Sequence, residues 1–428
     1  MLIKKLSAIA ALSGFAMFST PVFADDADVK ELLLKQQRQI EALQQKVEQQ
    51  QTVHNEALTH YIKNEIDRAL EAKGTSLLSL GSNVENLTIK GDLRVRYEAI
   101  SYDNNNSEGD SEDHFRQRFR LGFVWKTNEG WEIGAGLTTG HESGGASGGK
   151  GATSANDTYS RGSAFNNGDI FLDYAYAKHK WSNGFSLTLG QHKNPFVGTS
   201  ILWDSDVRFV GATAQYNDES GIFLTGGAYV VETFDSASAG GENDDAEMLA
   251  LQVGIENSGF TVAGSYYHFD SANTVDTLGL DKAYDLQMLS AYVEYAGKTD
   301  SFNYKVFGEY TVNIGADNAD TQVEGNSEEE DTAWILGGEI GIDKWKFKYL
   351  YGHIGSDSMH SQLSDSDFGG STATSGSNNV EGHKFGIGYK VTKNFEIAAT
   401  YILTERVEDS GNNRDSGELF QLDFQYKF

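Results

Sequence analysis

From residue 86 to the end of the chain, apolar and polar side chains alternate in stretches of ten residues or more. In 86–99, Leu87, Ile89, Leu93, Val95, Tyr97 and Ala99 share one face, and Thr88, Lys90, Asp92, Arg94, Arg96 and Glu98 share the other. In 115–126, Phe115, Phe119, Leu121, Phe123 and Trp125 oppose Arg116, Arg118, Arg120 and Lys126. The pattern returns in Phe302, Tyr304, Val306, Tyr310, Val312 and Ile314, in Trp345, Phe347, Tyr349 and Tyr351, and in Phe395, Ile397, Ala399, Tyr401 and Leu403. A period of two with one wet and one apolar face is the mark of a β-strand. The last strand is the most regular: Phe420, Leu422, Phe424, Tyr426 and Phe428 alternate with Gln421, Asp423, Gln425 and Lys427. On a soluble protein such a stripe would be an aggregating edge.

Strand length and connection rhythm separate a membrane barrel from a soluble sandwich. Tilted membrane strands need about ten residues. Aromatics stand near strand ends, at Trp125, Trp131, Trp181, Trp345 and Tyr426, as interfacial girdles require. Tight connections fall at 127–130, 181–184, 217–221, 257–259, 296–300, 343–344 and 392–394. Between them lie long polar segments near 101–114, 141–168, 193–206, 233–245, 270–283, 315–331, 355–381 and 406–417. This rhythm predicts an all-β transmembrane barrel of about sixteen antiparallel strands over 86–428, with fourteen or eighteen as alternatives because 222–231 and 284–295 alternate less clearly. A mean hydropathy of −0.45 excludes a bundle of membrane helices but not a barrel with a polar interior.

The amino-terminal part differs. Residues 1–24 read as a signal peptide: Lys4 and Lys5, an apolar run from Leu6 to Phe18, and a cleavage site at Val22-Phe23-Ala24. Residues 26–73 contain no glycine and read as a coiled-coil helix. Leu33, Ile40, Val47, His54 and Tyr61 hold one heptad position, and Gln36, Leu43, Gln50 and Ala57 its partner. The seam predicts self-association as a trimer in the periplasm; a solvated helix is the alternative. Residues 74–85 form a linker.

The chain carries 34 Lys and Arg against 62 Asp and Glu, which argues against nucleic acid as a partner. With no cysteine, thiolate metal sites and cysteine nucleophiles are excluded. No His-Glu-x-x-His pair, Gly-x-Ser-x-Gly elbow, Walker loop or dinucleotide fingerprint is present, so neither an enzyme nor a cofactor is expected. His268 and His353 lie on apolar faces without a serine partner and read as interfacial residues.

The chain resembles bacterial outer-membrane porins, specifically the porin family with an amino-terminal coiled coil. The resemblance rests on 90–98 (KGDLRVRYE), 116–121 (RQRFRL), 190–196 (GQHKNPF), Trp203-Asp204-Ser205-Asp206 and terminal Phe428, and it is stronger in the first half of 86–428. It implies a diffusion channel for ions and small hydrophilic solutes, usually trimeric, surrounded by outer-membrane lipid and lipopolysaccharide. It also implies that Phe424, Tyr426 and Phe428 are presented to the barrel-assembly machinery, and that 193–206 folds inward as a constriction.

A sixteen-stranded barrel encloses water, so function depends on what lines it. Arg94, Arg96, Arg116, Arg118 and Arg120 are expected to form a ladder on one wall, with Arg94 and Arg96 beside Arg118 and Arg120 and Arg116 just above. Asp92 and Glu98 would partner them locally, and Asp204 and Asp206 from the inward segment that Lys193 and Arg208 flank; Lys193, Asp204, Asp206 and Arg208 are expected to line the pore with the ladder. Three functional readings follow: a general porin, a solute-selective channel for anions such as phosphate, or a structural or adhesive barrel. The acid-rich outer loops read as solvated.

Overall fold

The computed structural model describes residues 86–103, 111–140, 154–159, 168–232, 246–270, 286–316, 330–360, 363–369, 378–408 and 416–428, with six positions between 35 and 46. The chain divides into two units, Met1–Gly81 and Ser82–Phe428. In the first, Lys35, Gln37, Arg38, Gln39, Ala42 and Lys46 are helical. The signal segment, the heptad seam and the linker before Asn86 lie outside the described residues.

The second unit is one closed antiparallel sheet. Its strands are β1 (Leu87–Asp103), β2 (Ser111–Lys126), β3 (Trp131–Gly140), β4 (Asp157–Thr158), β5 (Asp169–Lys180), β6 (Phe185–Lys193), β7 (Arg208–Asn217), β8 (Ile222–Glu232) and β9 (Ala246–Asn257). They continue with β10 (Phe260–Asp270), β11 (Gln287–Lys298), β12 (Asn303–Asn313), β13 (Thr332–Ile342), β14 (Trp345–Ile354), β15 (Val380–Lys390), β16 (Phe395–Glu405) and β17 (Ser416–Lys427). The two-residue β4 apart, sixteen strands form the wall, as the connection rhythm predicts. The strands with unclear alternation are present as β8 and β11. Among the described residues no helix is long and apolar enough to cross a membrane.

Closure is made by β1, which pairs with β2 on one side and β17 on the other. The Phe428 N–H donates to the Gly91 carbonyl at 3.1 Å, and the Gly91 N–H to the Phe428 carbonyl at 3.0 Å. A Cβ at position 91 would stand 2.6 Å from the Phe428 ring, so glycine there lets the terminal aromatic cross the seam. A second repair is made by β4. Strand β3 pairs with β2 only from Arg120 to Lys126, and β4 meets β2 higher up, at Arg116 and Gln117. Part of the predicted 141–168 loop thus returns to the wall.

Facing follows the sequence pattern. Ile89, Phe115, Leu249, Val253 and Leu336 are exposed on the outer face, while Thr213, Gln252, Thr311 and Gln421 are buried on the inner one. At the short-turn rim the outer face carries aromatic contacts: Trp131 with His179, His179 with Trp181, Phe185 with Tyr216, Phe260 with Tyr295, and Trp345 with Tyr389. An apolar band bounded by aromatics suits the boundary between hydrocarbon and headgroups. His268 and His353 project on this outer face, half-buried, each stacked on a neighbouring aromatic.

Candidate functional site

The arginines of β1 and β2 face the lumen in a register that corrects the sequence expectation. Arg94 stands opposite Arg118, Arg96 opposite Arg116, and Arg120 opposite Asp92. The pairing is centred to the amino-terminal side of the middle of 101–114, with Ser101 opposite Ser111, and this puts Arg116 beside Arg96. Interleaved acids make five close guanidiniums tolerable. Arg118 donates to Asp92 at 2.8 Å and Arg116 to Glu98 at 2.9 Å. Arg96 grips Asp423 of β17 through two bonds, at 2.7 and 2.9 Å, and reaches Asp367 at 3.3 Å. Arg120 donates to Asp206. Arg94 is different: its closest partner is the neutral Asn156 at 2.5 Å, and Asp423 is 3.9 Å away.

Residues 194–207 leave the wall and enter the lumen. His192, buried, is fixed by Thr213 at 3.0 Å, and the Asn194 side chain accepts from the Phe196 N–H at 2.9 Å across Pro195. The apolar side of this segment, Phe196, Ile201, Leu202, Trp203 and Val207, packs on Phe209, Tyr229, Met248, Tyr267, Phe269, Met288 and Ile335 of the wall. Each such burial is worth about 1.5–3 kcal/mol, enough to hold the segment against one side. Polar anchors fix its position: the Thr199 N–H donates to Glu309 at 2.7 Å, and Gln252 bonds both the N–H and the carbonyl of Val197.

The remaining side of the segment presents Asp204 and Asp206 to the arginines. Asp206 also accepts from the Ala155 N–H at 2.9 Å, and Arg120 beside it holds its carboxyl below the usual range although burial opposes this. Asp204 makes no ion pair among the described residues. Burial, then the neighbouring Asp365 and Asp206, push its carboxyl up to about 8.

A second segment also turns inward, contrary to the expectation of an outer loop over 355–381. Ser356, Asp357, Ser358, Met359, His360, Ser364, Asp365 and Phe368 are buried. Asp365 meets Lys384 of β15 at 2.6 Å. Burial alone would raise the Asp367 carboxyl, but Arg96 and Lys384 hold it well below the ordinary carboxylate range.

These parts enclose a cavity of about 410 Å³ bounded by Arg94, Arg116 and Arg118 on one side and by Asp204, Asp206, Asp365 and Asp367 on the other. Ser200 and Lys384 also line a second cavity of about 280 Å³. That one shares Lys305 and Glu339 with a third, about 500 Å³, which reaches the short-turn rim at Thr299, Asp300, Asp343 and Lys344. The three adjoin in sequence through polar side chains.

Two predicted lining residues stand apart. Lys193 lies in a separate cavity with Lys90 and Lys178. Arg208 is buried against Asp173 at 3.0 Å and donates to the Ser205 and Val207 carbonyls, so it fastens the end of the inward segment. Sequence reading missed Asp173, Asp423, Glu309, Lys384, Asp365 and Asp367. Asp423 was visible on the wet face of the last strand. For the second inward segment the signal was Met359, Leu363 and Phe368, apolar residues within a polar stretch.

A closed sixteen-stranded wall, polar inside and apolar outside and narrowed by an inward segment between β6 and β7, defines a porin-type channel. Residues 106–275 match the family model described as Putative porin (Porin_5). Among solved structures, Salmonella typhi OmpF in complex with daunomycin is similar in fold, with a TM-score of 0.51 and 14% identity over 82% of this chain and 99% of that one. A triple mutant of the Rhodopseudomonas blastica porin aligns with a TM-score of 0.45 and 12% identity, over 80% of this chain and 100% of that one. No curated protein matches the sequence. The barrel fold points to the outer membrane.

Proposed function

We propose that the protein is an outer-membrane porin that passes ions and small hydrophilic solutes by passive diffusion, without catalysis. The observation that carries this is the succession of adjoining cavities, joined through Ser200, Lys384, Lys305 and Glu339, from the arginine ladder to the short-turn rim. Arginines on one wall and carboxylates on the other set a field across the path, which orients water and polar solutes. Liposomes containing the protein should swell in small sugars, with rates that fall as the sugar grows. No swelling with any of them would leave the structural or adhesive reading. A second reading, preference for a small anion, is favoured by Arg94, whose nearest partner is neutral; saturable block by phosphate would support it.

Asp204 gives this channel a pH dependence. Its carboxyl, pushed up to about 8 by burial and the nearby Asp365, gains negative charge as pH rises through that value and adds it to the cavity. Cation preference should therefore increase between pH 7 and 9, and Asp204→Asn should remove the increase. The sign for stability is opposite: the folded chain holds a proton that the unfolded chain has lost, so stability falls as pH rises between the ordinary carboxylate value and about 8.

The leader over 1–24 would deliver the chain to the outer membrane as a homotrimer, with the 26–73 segment as a periplasmic helix and the barrel-assembly machinery acting on the last strand. Removing 26–73 should leave a barrel that folds, because all sixteen wall strands follow Asn86, and should weaken the oligomer on cross-linking. A strictly monomeric 26–73 peptide at high concentration would count against this.

A further inference from the structure

We propose that residues 355–360 and 363–369 form a second constriction element, in which Asp365 and Asp367 supply ion-selecting charge and the backbone braces the 194–207 segment in the lumen. The inference rests on the porin reading and names which residues set its selectivity.

Placement is the first argument. Met359 and Phe368 are buried in the same apolar cluster as Ile201, Leu202 and Trp203, so both segments share one core inside the barrel. Gly352 of β14 makes room: a Cβ there would lie 3.1 Å from the Phe368 ring.

Bracing is the second. The two segments exchange backbone hydrogen bonds in both directions. The Asp204 N–H donates to the Leu363 carbonyl at 2.9 Å, and the Asp365 N–H donates to the Ile201 carbonyl at 3.1 Å. Each satisfies a buried group of the other that water would otherwise have to reach. Neither segment can shift without breaking the pair.

Charge is the third. Asp365 is tied to Lys384 on β15 at 2.6 Å, and Asp367 to Arg96 on β1 at 3.3 Å, so both acids are held by rigid strands on either side of the seam. Asp365, Ser366 and Asp367 line the same cavity as Arg94, Arg116 and Arg118. A solute crossing that cavity passes between them at close range, where salt screens little.

The test uses the full-length protein in planar bilayers, after heat-modifiable electrophoretic mobility has shown each variant folded. Asp365→Asn with Asp367→Asn preserves shape and should lower the cation-to-anion permeability ratio roughly threefold, since it removes two charges and leaves Lys384 uncompensated. Deleting 363–369 should raise single-channel conductance about twofold, because it removes one of two inward segments and frees the other. Should the deletion fail to fold, the isosteric double variant decides alone. If the wild type conducts and the double variant has an unchanged permeability ratio, the proposal is overturned. A silent wild type would instead overturn the porin reading itself.

Discussion

Deleting Phe428 is expected to remove most of the folded, membrane-inserted protein. Two effects combine. The terminal residue makes two backbone hydrogen bonds to Gly91 across the closing seam, and its ring covers that glycine. Without it the ends of β1 and β17 lose their last paired residue, and lipid cannot satisfy the freed backbone groups. Net hydrogen bonds are worth about 0.5–1.5 kcal/mol each in water and more where water is absent. The deletion also removes the last aromatic of the Phe424, Tyr426 and Phe428 stripe proposed as the assembly signal. Phe428→Tyr keeps the ring and should behave as wild type. Heat-modifiable mobility of outer-membrane fractions is the measurement; wild-type amounts of folded barrel in the deletion would contradict the expectation.

Much of the wall was legible because each strand contacts a different solvent on each face. Phe119 beside Arg118 and Arg120 can fold in only one way in a barrel: ring outward, guanidiniums inward. Alternation is unclear in β8 and β11 for a physical reason, which the neighbouring β9 shares. Tyr229, Met248, Ala250 and Met288 face inward but are apolar, because the 194–207 segment covers them. Their inner face is a packing surface, so its composition resembles the lipid face. The arginine register was not legible, since it depends on where the first hairpin turns, and polar residues of 101–114 suit strand ends and loops alike. The second inward segment was hidden by composition: Asp365 and Asp367 look like the acids of any solvated loop until Lys384 and Arg96 are seen beside them. Arg208 looked like a free pore charge because its partner, Asp173, is far away in the sequence.

The second large effect concerns the ladder. Arg94→Gln, Arg116→Gln and Arg118→Gln together should turn the channel strongly towards cations. These three arginines line the cavity, whereas Arg96 and Arg120 serve mainly to hold Asp423 and Asp206. Their removal leaves Glu98, Asp206, Asp365 and Asp367 lining the cavity with fewer opposing charges. Replacing the acids of 324–331, a stretch that the sequence reads as solvated, should matter much less, because exposed charges are screened beyond roughly 8 Å at physiological ionic strength. Conductance should survive, because the opening comes from barrel closure.

The most direct measurement is the reversal potential of single channels in planar bilayers under a salt gradient, for wild type and for the triple arginine variant. The account predicts stable conductance in both and a reversal potential displaced towards the cation limit in the variant. Absence of conductance in the wild type, or identical reversal potentials in the two, would contradict it.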